Sequence, residues 1–240
     1  MPATPSTRAA HDAIRTSLRG FVKGCASAPA TSAYVLVLVI TTAILSSSSE
    51  RSEDQLLFAV STNLHQLADV PIRVLVASAF WTSGWSDLAL TIVLFAAILA
   101  PVERRLGSRR MLLAFAAGHL GATLIVAAGL WIGIHLGAVP QADVVARDVG
   151  VSYGFFAVAA LAGYLLDRRY RIGYFAAIVG YLVAEAALHH TFTDFGHLSA
   201  LAIGLACYPI VDAKAAPLRA RLPRRVRRRV LADASTRVSA

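Results

Sequence analysis

The chain has 240 residues, of which 57% are hydrophobic and only 15% are charged, and its formal net charge is +9. Soluble domains carry about 25% charged residues, whereas here the apolar residues form blocks of roughly 15 to 24 residues, about the length of helix that crosses a bilayer. This composition excludes a soluble enzyme, a disordered chain and a small module held by disulfides. It also argues against nucleic-acid binding, because the arginine-rich C-terminal segment contains no interleaved aromatic residues.

The apolar blocks divide the chain into three predicted parts. Residues 1–30 form a cytoplasmic segment, in which apolar residues at helical spacing between positions 8 and 23 predict an amphipathic helix on the membrane surface. Residues 31–212 contain six apolar blocks, and residues 213–240 form a basic tail. Backbone polar groups in lipid must pair within their own segment, so the blocks predict an all-α polytopic fold with six transmembrane helices. The predicted spans are Thr31–Ser46, Ser83–Val102, Met111–Ile134, Val151–Leu166, Ile172–Leu188 and His197–Val211.

Lysine and arginine residues are distributed unevenly between the two sides of this predicted bundle. Twenty of the 23 lie in the N-terminal segment, the second and fourth connections and the tail, and three lie in the other connections. The positive-inside rule therefore predicts a multi-pass protein of the plasma membrane with both termini in the cytoplasm. The arginine-rich segment 219–229 is predicted to bind anionic lipid. The strong preference for arginine over lysine in an alanine-rich chain indicates a bacterial source.

The first outward connection, residues 47–82, is the longest of the predicted connections. Its apolar residues between positions 57 and 67 follow helical spacing within a polar segment, which predicts an amphipathic helix and not a plain linker. Aromatic residues near its end suit the interfacial region of a bilayer. Two interpretations stay open for this connection: a loop folded into the outer leaflet against the bundle, or an ordinary surface helix.

Four polar residues inside the predicted spans carry the functional hypothesis, since polar side chains in a bilayer are costly and usually face an interior site. Ser152 begins the fourth span and His197 begins the sixth, while Asp87 and Thr91 lie one turn apart at the outer end of the second. These three spans run in the same direction, so all four residues lie at one level near the outer surface. A hydroxyl and an imidazole brought together there form a nucleophile and a general base. The N-terminus of the fourth span would favour an oxyanion beside Ser152.

Small residues indicate how the fourth and sixth spans approach one another. Gly150 and other small residues flank Ser152, and Ala200 and Gly204 follow His197 at intervals of three and seven residues. Such residues let helix backbones pack closely, so we expect these two spans to meet with Ser152 and His197 facing. The structural alternative stays open at this point, because a lone serine in a membrane helix usually bonds to the backbone and a lone histidine usually lies at the interface.

No metal or cofactor is predicted from the remaining polar residues. His65, His189 and His190 do not form a metal-binding set with nearby carboxylates, and the chain has no glycine-rich phosphate loop. Asp148 and Asp194 are expected to cap the helices that follow them. A transporter would show inverted repeats with paired broken helices, and neither feature is evident in the sequence.

These residues resemble the motifs of the rhomboid intramembrane serine proteases. Glu103–Arg110 is similar to the Glu-x-x-x-Gly-Ser segment that ends the second core helix of that family, and Gly150–Ser152 is similar to the Gly-x-Ser that opens the fourth. His197–Gly204 resembles the sixth helix, and Phe156 falls where the family often has an aromatic residue packed on the catalytic histidine. The resemblance covers roughly residues 30–212. It implies a six-helix bundle whose Ser–His dyad cleaves transmembrane protein substrates without a cofactor.

The chain also departs from the pattern that this resemblance implies. Tyr153 follows the serine where the family usually has glycine, and Asp87 and Thr91 stand where the family has a histidine and an asparagine that help to hold the oxyanion. With Gly150, these two residues are the candidates for oxyanion support, although Thr91 has a donor and an ionised aspartate has none. Two functions are therefore weighed: an intramembrane serine endopeptidase, and a catalytically inactive rhomboid-like protein that binds transmembrane helices.

Overall fold

The computed structural model of the chain describes residues 24–145, 148–189 and 191–211, and in these residues it is built from helices and their connections without a strand. The amphipathic helix predicted between residues 8 and 23 and the basic tail lie outside the described residues. The α-helices are α1 (Pro29–Ser46), α2 (Glu50–Val60), α3 (Leu64–Asp69), α4 (Pro71–Ala77), α5 (Trp85–Leu106), α6 (Ser108–His135), α7 (Ser152–Leu165), α8 (Arg168–His189) and α9 (Phe192–Ala206).

Each predicted span coincides with one of the helices α1, α5, α6, α7, α8 and α9. Four of these, α1, α5, α6 and α8, are long and apolar enough to cross a membrane. Helices α7 and α9 have 14 and 15 residues, which at a rise of about 1.5 Å per residue is less than the thickness of a bilayer core. The chain is therefore an all-helical membrane protein in which two short helices accompany longer ones.

The prediction that His197 begins the last helix is wrong by five residues. Helix α9 begins at Phe192, because Thr191 and Asp194 form a capping box in which each side chain accepts a hydrogen bond from the backbone N–H of the other. Asp194 thus takes part in the cap, although from inside the helix at its third residue, and the N-cap residue is Thr191. The helix ends at Ala206, just before the turn that contains Pro209, and His197 lies in its second turn.

Helix α7 lies at the centre of the bundle and packs against α6 and α9, which also contact each other. Ten of its 14 residues are buried. Gly118 of α6 and Gly204 of α9 both face Ala157 of α7, and a Cβ atom on either glycine would overlap Ala157. The predicted close approach of the fourth and sixth spans is therefore found, and it places their backbones in direct contact.

The C-terminal end of α5 holds three helices together through one carboxylate. Glu103 is 3% exposed, and its oxygens accept hydrogen bonds of 2.8 Å from the backbone N–H groups of Ala30 and Thr31 and of 2.6 Å from the hydroxyls of Thr31 and Ser108. The carboxylate thus caps the N-terminus of α1 and the start of α6. Above it, residues 95–99 of α5 form a π-helical stretch just before Pro101, whose missing N–H cannot continue the regular pattern.

The connection between α1 and α5, residues 47–82, contains the three α-helices α2, α3 and α4, and the amphipathic helix predicted between positions 57 and 67 is divided between α2 and α3. Ser61, Thr62 and Asn63 separate α2 from α3, and all three are buried. Asn63 caps α3, while the hydroxyls of Ser61 and Thr62 bond to Asp148 in the loop before α7. These hydrogen bonds therefore attach the connection to the loop that precedes α7.

Candidate active site

A cavity of about 680 Å³ lies between helices α5, α7, α8 and α9. Its walls are mostly apolar, and seven polar side chains from the four helices face it. Six of the predicted site residues line this one cavity: Asp87, Thr91, Gly150, Ser152, Phe156 and His197. The remaining two, Ala200 and Gly204, lie deeper in α9 at its contact with α7.

Ser152 is the first residue of α7, and the backbone before it is fixed. Gly150 has a φ of 133°, which L-residues with a side chain rarely adopt, and its N–H donates to the carbonyl of Ser78 over 3.0 Å. Helix α7 has no side-chain N-cap. Its first N–H groups are therefore left for another acceptor at the mouth of the cavity.

His197 enters the cavity wall from the second turn of α9. Its ring packs on Phe156, with centroids 4.8 Å apart, and its Nε2 atom is buried with no hydrogen-bond partner. Among the described residues no hydrogen bond joins Ser152 to His197. Because catalytic hydrogen bonds often tighten only when substrate is bound, the pairing of these two side chains stays a prediction.

The α5 wall supplies two polar residues in different environments. Thr91 is 5% exposed and faces the cavity. Asp87 is exposed, and its Oδ2 accepts a hydrogen bond of 3.0 Å from the backbone N–H of Ser83. The carboxylate thus acts as an acceptor at the start of α5, and Thr91 is the α5 side chain that can donate into the cavity.

A family model for rhomboid-like proteins matches residues 23–217 of the chain. The chain belongs to the rhomboid-like protein family. No curated protein and no solved structure matches the chain significantly.

The site of this rhomboid-like protein includes residues whose contacts the sequence did not predict. Tyr153, beside the candidate nucleophile, also packs its ring on His197, with centroids 5.6 Å apart and planes at 74°. Its hydroxyl donates to Asp148 over 3.2 Å. The one available signal was compositional: a tyrosine stands next to Ser152 and a glycine, Gly196, next to His197.

Asp148 is not the helix cap that the sequence predicted. The N-cap residue of α7 is Val151, and Asp148 instead accepts hydrogen bonds from Thr62 and Tyr153. Burial raises its pKa to about 6, against the lowering effect of these two donors. The loop before α7 therefore carries a carboxyl group whose pKa is raised into the mildly acidic range.

The side chains that line the cavity indicate what chemistry it could support. Within residues 24–145, 148–189 and 191–211, no three His, Cys, Asp or Glu side chains lie close enough together to hold a metal ion. A hydroxyl at a helix N-terminus and an unpaired imidazole nitrogen share an apolar cavity instead. This combination suits nucleophilic attack on a carbonyl group and stabilisation of the resulting oxyanion.

Proposed function

We propose that this protein is an intramembrane serine endopeptidase, with Ser152 as nucleophile and His197 as general base. The observation that carries the proposal is the shared cavity, which Ser152 enters from α7 and His197 from α9. The buried, unpaired Nε2 of His197 supports it, because a buried polar atom without a partner is costly and is retained where it serves a function.

The proposed reaction needs these two side chains and one water molecule. His197 Nε2 takes the proton from Ser152 Oγ as that oxygen attacks the peptide carbonyl. The tetrahedral intermediate collapses to an acyl-enzyme when the protonated imidazole gives its proton to the leaving amine. Water, deprotonated by the same nitrogen, then attacks the acyl group, and the imidazolium returns that proton to Ser152 Oγ as the second tetrahedral intermediate collapses and releases the carboxylic product.

The oxyanion of each intermediate requires hydrogen-bond donors near Ser152. The proposal assigns this task to the uncapped N–H groups at the start of α7 and to the hydroxyl of Thr91. Gly150 supports the site indirectly, because its own N–H is bound to Ser78. Asp87 lies at the rim, and its carboxylate stabilises the start of α5.

The proposed substrates are transmembrane proteins that approach through the bilayer. The cavity extends between α5 and α8, and α8 carries many exposed apolar side chains, among them Ile172 and Val183. A substrate helix that unwinds at its outer end could place an extended segment between these two helices. No cofactor enters the proposed mechanism.

The proposed orientation places the cavity toward the outside of a bacterial plasma membrane, with six spans and both termini in the cytoplasm. In a variant without Cys25 and Cys207, an impermeant thiol reagent added outside intact cells should label Ala138→Cys. It should not label Arg109→Cys. Labelling of the second variant alone would reverse the topology. The proposal also assigns anionic-lipid binding to the basic tail.

Activity-based labelling tests the catalytic proposal. A fluorophosphonate should label the purified protein, Ser152→Ala should abolish labelling, and His197→Ala should strongly reduce it while the protein remains folded. The matched control is Ser199→Ala, because Ser199 lies two residues from His197 but outside the cavity wall and donates to the carbonyl of Phe195. It should be labelled as fast as wild type. Equal labelling of wild type and Ser152→Ala would reject the proposal.

A non-catalytic function is favoured by a different observation. The residues described contain no Ser152–His197 hydrogen bond, and the exposed carboxylate of Asp87 at the rim is not a donor to an oxyanion. These features fit a rhomboid-like protein that holds a transmembrane helix in the cavity without cleaving it. Photo-crosslinking from Leu90 to a transmembrane peptide, in a protein that no fluorophosphonate labels, would support this second function.

A further inference from the structure

His197 is held by a second aromatic ring besides that of Phe156. Tyr153 is 3% exposed, does not line the cavity, and meets the imidazole edge-on. A Cβ atom on Gly196 would overlap the Tyr153 ring. The tyrosine therefore fills the space between α7 and α9 beside the imidazole, and it fits there only because the residue before His197 has no side chain.

The hydroxyl of Tyr153 forms a hydrogen bond with a residue outside its own helix. It donates to Asp148 Oδ2 over 3.2 Å, and the Thr62 hydroxyl donates to the same oxygen over 3.2 Å. The N–H of Asp148 donates to the hydroxyl of Ser61 over 2.8 Å. The ring beside His197 is thus connected, through one part-buried carboxyl group, to the connection between α1 and α5.

Among the described residues, no carboxylate accepts a hydrogen bond from the His197 ring and orients it. Asp194, one turn earlier on α9, accepts hydrogen bonds of 2.9 and 2.7 Å from the N–H and hydroxyl of Thr191. A catalytic imidazole is normally oriented by a third group. Among the described residues, the aromatic side chains of Tyr153 and Phe156 pack on the imidazole ring and could set its plane.

The geometry points to Tyr153 as a positioning residue that sets the plane of the His197 imidazole, and to Asp148 as the group that holds Tyr153 in place. The catalytic meaning of this inference rests on the proposed function, whereas the positioning itself does not. The tyrosine beside Ser152, which departs from the usual glycine, would then compensate for the missing orienting carboxylate.

Four variants separate positioning from general destabilisation. Tyr153→Phe keeps the ring and removes its attachment, and Asp148→Ala removes the group that holds the hydroxyl. Asp148→Asn is the conservative variant, because its amide oxygen can still accept the bond. The matched control is Tyr164→Phe: Tyr164 also joins α7 to α9, donating to the carbonyl of Leu205 over 3.2 Å, but lies at the opposite end of α7.

The first readout does not depend on activity. In detergent micelles with ¹³C-labelled histidine, the His197 ring signal is identified by its loss in His197→Gln. Its chemical shift is displaced by the two neighbouring rings and reports their orientation. We expect this signal to move or broaden in Tyr153→Phe and Asp148→Ala. It should keep its position in Asp148→Asn and Tyr164→Phe.

The second readout is the rate of fluorophosphonate labelling as a function of pH. Tyr153→Phe and Asp148→Ala should lower the maximal rate by about 10-fold and displace the pH of half-maximal labelling, because the base is misaligned. For a cleavable transmembrane substrate, kcat should fall while KM stays near the wild-type value. Asp148→Asn should recover most of the rate.

The two readouts distinguish failure of this inference from failure of the proposed function. An unchanged His197 signal in both Tyr153→Phe and Asp148→Ala overturns the positioning role, whatever the labelling rates. A changed signal in a protein whose wild type is never labelled supports the positioning role and rejects the protease. A signal that moves equally in Tyr164→Phe also overturns the inference, because it assigns the change to general loosening of α7.

Discussion

Helices α7 and α8 follow one another in the chain and both line the cavity, yet they are held in different ways. Ten of the 14 residues of α7 are buried, whereas Leu182 is the one buried residue among the 22 of α8. Glycines show the same contrast, since Gly118 and Gly204 meet Ala157 of α7 closely while Gly173 and Gly180 of α8 face open space.

This difference assigns separate tasks to the two walls of the cavity. Backbone-to-backbone contacts leave α7 no freedom relative to α9, so Ser152 and His197 keep their relation. Helix α8 is attached by side-chain tips, such as the Phe175 ring that lies against Gly163. In the proposed function, the chemistry therefore takes place on the rigid wall, and the wall that a substrate must pass is the loosely packed one.

The largest expected effect comes from disturbing the rigid wall. A Cβ at Gly204 would overlap the backbone of Ala157, and backbone cannot rotate away as a side chain can. Gly204→Ala should therefore displace α9 relative to α7 and lower the fluorophosphonate labelling rate by about 100-fold, as a misplacement of about 1 Å does in other enzymes. Labelling kinetics and thermal unfolding in detergent measure the effect.

Two alanine variants serve as controls for this prediction. Gly180→Ala on α8 meets nothing within 4 Å, and Gly121→Ala on α6 meets only the flexible end of Ile203. Both should be labelled at close to the wild-type rate. If Gly204→Ala behaves like Gly180→Ala, the contrast between the two helices has no functional consequence.

The next largest effect is expected at Thr91, which faces the rigid wall from α5. Thr91→Val keeps the shape of this buried side chain and removes its hydroxyl, so turnover should fall by roughly 10-fold or more while the melting temperature stays nearly unchanged. Thr91→Ser, which retains the donor, should keep most of the activity. Cleavage of a transmembrane substrate at the wild-type rate by Thr91→Val would remove this residue from the oxyanion site.

A smaller effect of opposite sign is expected on the loose wall. Leu182 is the buried residue of α8, and Leu182→Ala should weaken the attachment of this helix by about 2 kcal/mol or more. Because Ser152 and His197 stay in place, labelling by a bulky fluorophosphonate should become faster. Val183→Ala, at an exposed neighbouring position, should change nothing. Slower labelling of Leu182→Ala would mean that α8 belongs to the rigid part.

Much of the fold could be predicted from the sequence because it depends on hydrophobic patterning. The six apolar blocks coincide with helices, and the small residues of α7 and α9 do bring their backbones together. The start of α9 was misplaced, because the capping box of Thr191 and Asp194 precedes the apolar block that marked the span. Caps depend on a few polar side chains and are weak signals in an apolar sequence.

The candidate site could be predicted only from two properties of the helices: the direction in which each one runs, and the depth in the membrane at which its end lies. Those two properties brought Ser152, His197 and Thr91 to one cavity. They could not predict the contacts of Asp148, which accepts a hydrogen bond from Thr62, 86 positions earlier in the chain. Such a pairing depends on how a long loop folds back, and no periodicity in the sequence reports it.

The last prediction concerns Asp148, which fastens the loop before α7 to the outward connection. Its pKa is raised by burial from 3.8 to about 6, so the folded protein binds the proton more tightly than the unfolded chain does. The protonated Asp148 carboxyl is the form that the fold accommodates. Its contribution to stability is therefore fully present below pH 3.8 and is lost as the pH rises through 6, where Asp148 ionises in the folded protein. This difference in pKa corresponds to about 3 kcal/mol of folding free energy.

Asp148→Asn isolates this contribution, because an amide can accept the same hydrogen bonds but does not ionise. Thermal unfolding in detergent should show little difference from wild type near pH 4. The variant should become the more stable protein as the pH rises, with the gap widening to about pH 7 and then staying constant, since above pH 7 Asp148 is ionised in both states. Comparing the two proteins at each pH cancels the titration of every other group. A difference in stability that does not change with pH would show that Asp148 ionises as readily in the fold as in water. The attachment of α7 to the connection between α1 and α5 would then have to rest on neutral hydrogen bonds alone.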